Sequence, residues 1–88
     1  MSGESVPSSR YRVFEAARRS AGWTVDQLWV HYLALGGSLV LFDLQAYLAG
    51  LTLMPPGQQD VLACAINERL TDLSSEVRVP YLEVLLHC

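Results

Sequence analysis

The sequence predicts an all-α protein: a compact bundle of four main helices with an additional short fifth helix at the C-terminus. Its 88 residues are enough for one domain. Apolar residues recur at intervals of three and four along four separate stretches, which is the spacing of one helix face. Glycine or proline separates these stretches, as expected at helix boundaries. We therefore expect a disordered tail over residues 1–8 and a single helical domain over residues 9–88.

The apolar content is high for so small a domain. Hydrophobic residues make up 51% of the chain and charged residues 17%, whereas about 25% charged residues is usual. Between Asp26 and Asp60 the only formal charge is Asp43. A domain of this size buries little more than about 60% of the surface of its unfolded chain. Part of the apolar surface is therefore expected to face a partner.

The first helix is predicted over residues 9–21. Ser8 or Ser9 can serve as its N-cap, and Gly22 suits the position after its last turn. Four apolar residues fall on one face: Tyr11, Phe14, Ala17 and Ala21. The other side carries four of the six basic residues, which we predict to form a charged rim around an interface: Arg10, Arg12, Arg18 and Arg19.

The second helix has the clearest start signal in the chain. Thr24 and Gln27 fit a capping box, in which each side chain accepts a hydrogen bond from the backbone N–H of the other residue. Trp23 and Leu28 have the spacing of a hydrophobic staple, which fixes the direction of the chain as it enters the helix. The helix then presents a broad apolar face: Val25, Leu28, Trp29, Tyr32 and Leu35.

A glycine pair separates the second helix from the third. Gly36 and Gly37 end the second helix because glycine adopts the left-handed conformation without steric cost. We predict the third helix over residues 39–49, with Gly50 directly after its end. Its apolar residues are Leu41, Leu44, Leu48 and Leu51. Together these elements form a helical hairpin at the centre of the fold.

The fourth helix is the longest, predicted over residues 55–73. Two prolines open it, where the missing N–H of proline costs nothing. The helix dipole favours Asp60 near its start. Its core face is predicted to be Leu62, Ile66, Leu70 and Leu73. Five polar residues are predicted to face solvent: Gln58, Gln59, Asn67, Glu68 and Asp72.

The helical pattern weakens towards the C-terminus. Residues 76–79 alternate in the manner of a strand, but the run is short and Pro80 interrupts it. Proline also suits the first turn of a helix. We therefore predict the short fifth helix over residues 80–86.

The sequence offers no catalytic, cofactor-binding or metal-binding residues. Two cysteines are too few for the disulfide framework of a small secreted domain. Cys64 lies in an apolar helical stretch and is predicted to be a buried thiol, and His31 is predicted to be partly buried. Adjacent His87 and Cys88 lack the ligand spacing of zinc sites. We expect a protein that is not an enzyme.

Aromatic residues crowd the predicted hairpin. Tryptophan and tyrosine are enriched among the residues that anchor protein interfaces. We predict that part of a set of four aromatic residues faces a partner: Trp29, Tyr32, Phe42 and Tyr47. The predicted function is that of a protein–protein interaction module, a small regulatory or adaptor protein that acts as a homodimer or with another protein.

Two other functions stay open. The first is a helix-turn-helix DNA-binding regulator, in which residues 39–49 would enter the major groove. That helix offers Asp43, Gln45 and Tyr47 but no arginine or lysine, and the net charge of −3 disfavours attraction to phosphates. The second is a small-molecule sensor with an apolar pocket inside the bundle.

The sequence shows no targeting or membrane signal. Its N-terminal residues lack the charged and apolar regions of a signal peptide. The apolar run over residues 28–42 is shorter than the about 20 residues of a membrane span, and a glycine pair interrupts it. We therefore expect a cytoplasmic protein with no membrane association.

Six short segments carry a resemblance to a group of known proteins. They are LW at 28–29, ALGG at 34–37, AYLAG at 46–50, LMP at 53–55, DVLA at 60–63 and AINERL at 65–70. Over residues 23–73 the chain thereby resembles small all-helical actinobacterial proteins of unassigned function. Arginine at every basic position is consistent with such a GC-rich source. These proteins tend to be encoded among regulatory genes, so the resemblance implies a regulator or adaptor.

Overall fold

A computed structural model describes residues 6–82, with side chains from residue 10 onward. The protein is all-α, as predicted, and no strand forms within the described range. The four helices are α1 Val6–Ala21, α2 Val25–Ala34, α3 Leu41–Leu48 and α4 Pro56–Asp72. Both α3 and α4 pack against α1 and α2, which gives a bundle-like arrangement. None of these described helices is long and apolar enough to cross a membrane.

The first helix begins earlier than predicted. It starts at Val6, so the predicted start of the helix at residue 9 was wrong. The capping serines suggested a later start, but their side chains lie outside the described part of the chain. The predicted disorder of residues 1–5 also lies outside the described residues.

The predicted capping box of α2 is confirmed. The backbone N–H of Gln27 donates to Thr24 Oγ1 at 3.2 Å, and the backbone N–H of Thr24 donates to Gln27 Oε1 at 2.9 Å. Leu28 is fully buried and Trp23 packs at the edge of the core, as a hydrophobic staple requires. Local sequence signals therefore determine where this helix begins.

All four described helices end in the same way. A residue with positive φ lies one or two positions after the last residue of each helix: Gly22 at 72°, Gly36 at 104°, Gly50 at 80° and Ser74 at 58°. The next residue then donates to a carbonyl in the last helical turn, as in the bond from the Ser75 N–H to the Leu70 carbonyl at 2.9 Å. Three of the four stops were predicted from glycine, and the fourth uses a serine in a conformation that favours glycine.

The core runs through the middle of the bundle and draws on every helix. Its largest fully buried side chains are Phe14, Leu28, Tyr32, Leu44, Tyr47, Leu62, Ile66 and Leu70. Phe14 of α1 meets Tyr47 of α3 edge to face, with ring centroids 5.8 Å apart. Leu73, predicted as a core residue, is 45% exposed. It follows the last residue of α4, where the helical register has already ended.

Two buried polar side chains of α4 bind groups in other parts of the chain. Gln59 was predicted to face solvent but is buried: its amide donates to the Met54 carbonyl at 2.7 Å, and its Oε1 accepts from Arg10 Nε at 3.1 Å and from the Tyr47 hydroxyl at 3.3 Å. Asn67, also predicted to be exposed, is buried against Val79. Both predictions were wrong because these side chains satisfy main-chain groups that water cannot reach.

Residues 76–82 form neither a strand nor a helix. The predicted fifth helix is therefore wrong over residues 80–82, and its remainder lies outside the described residues. Val79 is only 1% exposed and belongs to the core cluster. Since this segment is anchored by a buried side chain and by polar groups of α1 and α4, its backbone is stabilised without helical hydrogen bonds.

Candidate functional site: an apolar surface on the α2–α3 hairpin

One stretch of the chain exposes an unusual number of large apolar side chains. These residues, which we call the hairpin surface, are Val30, Leu33, Leu35, Val40, Phe42, Leu51 and Leu53. They belong to α2, the turn after it, α3 and the link to α4. Leu51 is 80% exposed and Phe42 is 74% exposed, which is far beyond the partial exposure usual for such residues.

Helix geometry explains why these residues are exposed. The core side of α2 is defined by buried Leu28 and Tyr32, and Val30 lies between them in sequence, on the opposite side of the helix. In α3 the core side is defined by Leu44 and Leu48, which turns Phe42 outward. Both helices therefore carry apolar residues on the side that faces the core and also on the side that faces solvent.

The stretch of chain that carries the hairpin surface has almost no charge of its own. Asp43, next to Phe42, is the only charged residue between Asp26 and Asp60, and it is exposed. Charged residues normally keep exposed surfaces soluble and discourage association. A nearly neutral, apolar surface is instead typical of the central part of a protein–protein interface.

Two of the four predicted interface residues lie in the core. Tyr32 is completely buried and Tyr47 is 2% exposed, so neither forms part of the surface of this chain. Trp29 is partly buried, and its indole N–H donates to the Leu39 carbonyl at 2.9 Å. Of the predicted set, only Phe42 is widely exposed.

The side chain of Tyr32 connects the turn of the hairpin to α4 by hydrogen bonds. The Tyr32 hydroxyl accepts hydrogen bonds from the backbone N–H groups of Ser38 and Leu39 at 3.1 and 3.0 Å. It also donates to Gln58 Oε1 on α4. These bonds fix the turn between α2 and α3 against α4, so the exposed residues on either side of the turn have a defined position.

The predicted charged rim divides into two internal and two exposed arginines. Arg18 binds Glu15 through two contacts of 2.7 and 2.6 Å and donates to the Trp23 carbonyl at 2.6 Å. Its hydrogen bonds to Glu15 hold the pKa of that carboxyl below its ordinary value. Arg10 binds Gln59 and is half-buried. Both arginines therefore stabilise the fold and do not form an open rim.

Arg12 and Arg19 remain available at the surface. The Arg19 side chain is 74% exposed and lies 3.7 Å from Glu15. The Arg12 guanidinium lies over the ring of Tyr11, 5.6 Å from its centroid. These two arginines and Tyr11 line a shallow groove of about 400 Å³ on α1. They are the part of the predicted rim that a partner can reach.

Residues with catalytic or metal-binding chemistry do not converge. His31 is exposed and stacks on Trp23, with centroids 4.4 Å apart, so its predicted partial burial was wrong. Cys64 is buried as predicted, but it is disulfide-bonded and not a free thiol. No group of three potential metal ligands occurs among residues 10–82. His87 and Cys88, whose spacing the sequence analysis compared with that of zinc ligands, lie outside the described residues.

Sequence reasoning missed several residues of the hairpin surface. Leu51 was assigned to the apolar face of the third helix, but α3 ends at Leu48 and Gly50 reverses the chain. Leu53 and Val40 lie outside any helix and so have no periodicity to classify them. The signal that could have identified them is the low charge of the stretch, combined with helix ends fixed by glycine.

In comparisons with known proteins, no family model, no curated protein and no solved structure matches this chain.

Proposed function

We propose that this protein is a protein–protein interaction module that associates with a second copy of itself through the hairpin surface. The observation that carries the proposal is the exposure of Phe42 and Leu51 on a nearly uncharged stretch. Exposed apolar residues are common singly, but clusters of this kind mark interaction sites. The proposed role is that of a small regulator or adaptor.

The hairpin surface offers several large apolar side chains for a dimer interface to cover. Its seven large side chains are between 37% and 80% exposed. A standard interface buries roughly 800 Å² per partner, which requires most of these side chains to be covered together. Phe42 is the expected anchor, because it is the one aromatic residue of the hairpin surface and aromatic residues are enriched among those that contribute most to binding.

The charge distribution supports self-association. An interface between two copies places the same surface on both sides, so a strongly charged surface would repel itself. The hairpin surface has a single carboxylate, Asp43, and it lies at an exposed position where water screens it. Arg12 and Arg19 on α1 are free to orient a partner electrostatically, which affects association rate more than affinity.

The DNA-binding alternative has less support. The turn between α2 and α3 spans residues 35–40, longer than the three or four residues of a helix-turn-helix. α3 exposes Phe42, Asp43 and Gln45, none of which can pair with a phosphate as a cation does. The test is a DNA mobility-shift assay at low salt, with the Arg12→Ala/Arg19→Ala variant as control. DNA binding by the unmodified chain that the variant loses would favour the alternative.

The proposed function can be tested with a matched pair of variants. Phe42→Ser/Leu51→Ser removes the two most exposed apolar side chains of the hairpin surface. Leu73→Ser changes a leucine that is 45% exposed at the end of α4, outside that surface. Light scattering after size exclusion gives the mass of each variant, and circular dichroism reports whether the helices persist.

We expect the unmodified chain and Leu73→Ser to form dimers, and the double variant to be a folded monomer at the same concentration. The double variant should also be more soluble, because it exposes less apolar surface. A double variant that dimerises as strongly as the unmodified chain would exclude the hairpin surface as the interface.

A further inference from the structure

The two most exposed side chains of the hairpin surface lie at opposite ends of α3. Phe42 is the second residue of this helix, and Leu51 is the third residue after its end. A helix of 8 residues is about 12 Å long. The hairpin surface therefore has one apolar end at Phe42 and another at Leu51, about one length of α3 apart.

One of these ends carries a negative charge and the other a positive charge. Asp43 follows Phe42 and is exposed. At the other end, the Tyr11 ring packs directly on Gly50, where a Cβ would lie 2.7 Å from Cζ of the ring. Arg12 Nε donates to the Tyr11 hydroxyl at 3.2 Å. This hydrogen bond places the guanidinium beside the end of α3.

Neither charge has an oppositely charged partner among residues 10–82. The two ion pairs described in this range both join Glu15 to arginines other than Arg12. The described hydrogen bond of the Arg12 guanidinium uses Nε, so both Nη groups can donate to a carboxylate from outside the chain. Asp43 and Arg12 lie at opposite ends of α3 and do not pair within one copy.

The symmetry of a dimer determines which charges meet. A two-fold axis places the same surface on both sides of the interface. If the axis crosses α3, the two copies of this helix run antiparallel, and Asp43 of each copy faces the partner's Arg12. Phe42 of each copy then packs on the partner's Leu51. An axis along α3 would make the helices parallel and would bring the two Asp43 carboxylates together, where like charges repel.

We propose that the protein forms an antiparallel α3 dimer in which Asp43 of each copy binds the partner's Arg12. This pairing rests on the proposed function, because it names the residues that meet when two hairpin surfaces associate. The Asp43 carboxylate accepts charge-assisted hydrogen bonds from the Nη groups of Arg12. Both contacts form at once, so the dimer leaves neither charge available to a third copy. The pairs fix the register of the interface more than its affinity.

The test exchanges the charges of the proposed pair between two chains. In its own dimer, Asp43→Arg places guanidinium groups opposite each other, and Arg12→Asp places carboxylates opposite each other. When these variants are mixed, their heterodimer has opposite charges at both contacts. Native mass spectrometry at low ionic strength, where charges are screened least, distinguishes the heterodimer from both homodimers by mass. Circular dichroism reports whether each variant keeps its helices.

Arg19→Asp is the matched control for Arg12→Asp. It makes the same change of charge at an exposed position of α1, about two turns further along the helix and away from Tyr11. A mixture of Asp43→Arg with Arg19→Asp should therefore contain mainly the Arg19→Asp homodimer. This control separates the proposed pair from an effect of net charge.

We expect Asp43→Arg and Arg12→Asp each to dimerise at least about tenfold more weakly than the unmodified chain, because like charges meet at both contacts. Their mixture should contain the heterodimer in at least about tenfold excess over either homodimer. The double variant Asp43→Arg/Arg12→Asp restores both pairs and should dimerise like the unmodified chain. If a single variant loses its helices, the double variant decides, and a monomeric double variant would overturn the proposal.

The outcomes separate this pairing from the proposed function. Single variants that dimerise like the unmodified chain, with a statistical share of heterodimer in their mixture, would overturn the pairing and leave the proposed function standing. A heterodimer that forms equally well with Arg19→Asp would overturn the assignment to Arg12. An unmodified chain that stays monomeric would overturn both proposals.

Discussion

The ring of Tyr32 packs so closely against Gly37 that position 37 has no room for a side chain. The same tyrosine receives hydrogen bonds from Ser38 and Leu39 and donates to Gln58. The α2–α3 turn is therefore wrapped around one buried side chain. This arrangement fixes the hairpin on which the proposed interface lies.

Gly37→Ala should destabilise the protein by about 1–3 kcal/mol, because the added methyl group overpacks against the Tyr32 ring. Gly57→Ala is the matched control: no atom lies near its added methyl group, and it lies in the first turn of α4. That change should stabilise by about 0.5–1 kcal/mol, because alanine favours helix. Urea unfolding measures both. Equal effects of the two substitutions would contradict the close contact.

Tyr32→Phe should lower the free energy of unfolding by about 1 kcal/mol, since it leaves the half-buried N–H of Leu39 without the hydroxyl as acceptor. Amide hydrogen exchange should increase at Leu39 more than at Ser38, because the Ser38 N–H also donates to Gln58 Oε1 at 3.0 Å. Tyr11→Phe serves as control, because the one described hydrogen bond of the Tyr11 hydroxyl is to Arg12, which is exposed. Unchanged exchange at the turn would show that the hydroxyl does not hold it.

Ser74→Gly should stabilise the protein by about 1 kcal/mol. Ser74 adopts a φ of 58° at the end of α4, a conformation that costs an L-residue with a side chain about 1–2 kcal/mol. Glycine removes that cost, as it does at the other three helix ends. Thermal unfolding measures the gain. A lower melting temperature would mean that the serine side chain makes a stabilising interaction.

Stability should depend on pH through Glu15. Hydrogen bonds from Arg18 lower the pKa of Glu15 in the folded state below its ordinary value of 4.5. The ionised carboxylate therefore stabilises the fold above that value, and the stabilisation disappears as pH falls through the lower folded pKa. Compared with the unmodified chain, Glu15→Gln should be less stable at pH 7 and similarly stable at pH 2. Glu76→Gln is the control, because Glu76 is exposed and takes part in neither of the described ion pairs. Melting curves across this range test the difference.

Signals that are complete within a few residues predicted the fold well. Thr24 and Gln27 satisfy each other's backbone, and Gly22, Gly36 and Gly50 meet a local steric requirement. Such signals need no knowledge of the tertiary structure. The number of main helices and three of their ends follow from them.

Signals that depend on distant partners were not predictable. Gln59 and Asn67 appear polar and exposed in sequence, but they bind main-chain groups of residues 5 and 12 positions away that are themselves buried. Tyr32 and Tyr47 belong to a set of four aromatic residues of which only part was predicted to face a partner, because tyrosine suits both a core and an interface. Which tyrosine enters the core depends on the packing of α4 beneath the hairpin, and periodicity alone does not give it.

The proposed self-association is tested most directly by sedimentation equilibrium of the unmodified chain over a wide concentration range. The hairpin surface predicts a mass that rises towards twice the chain mass of 9.8 kDa, and a Phe42→Ser/Leu51→Ser variant that stays at the chain mass throughout. An unmodified chain that remains at 9.8 kDa at every concentration would contradict it.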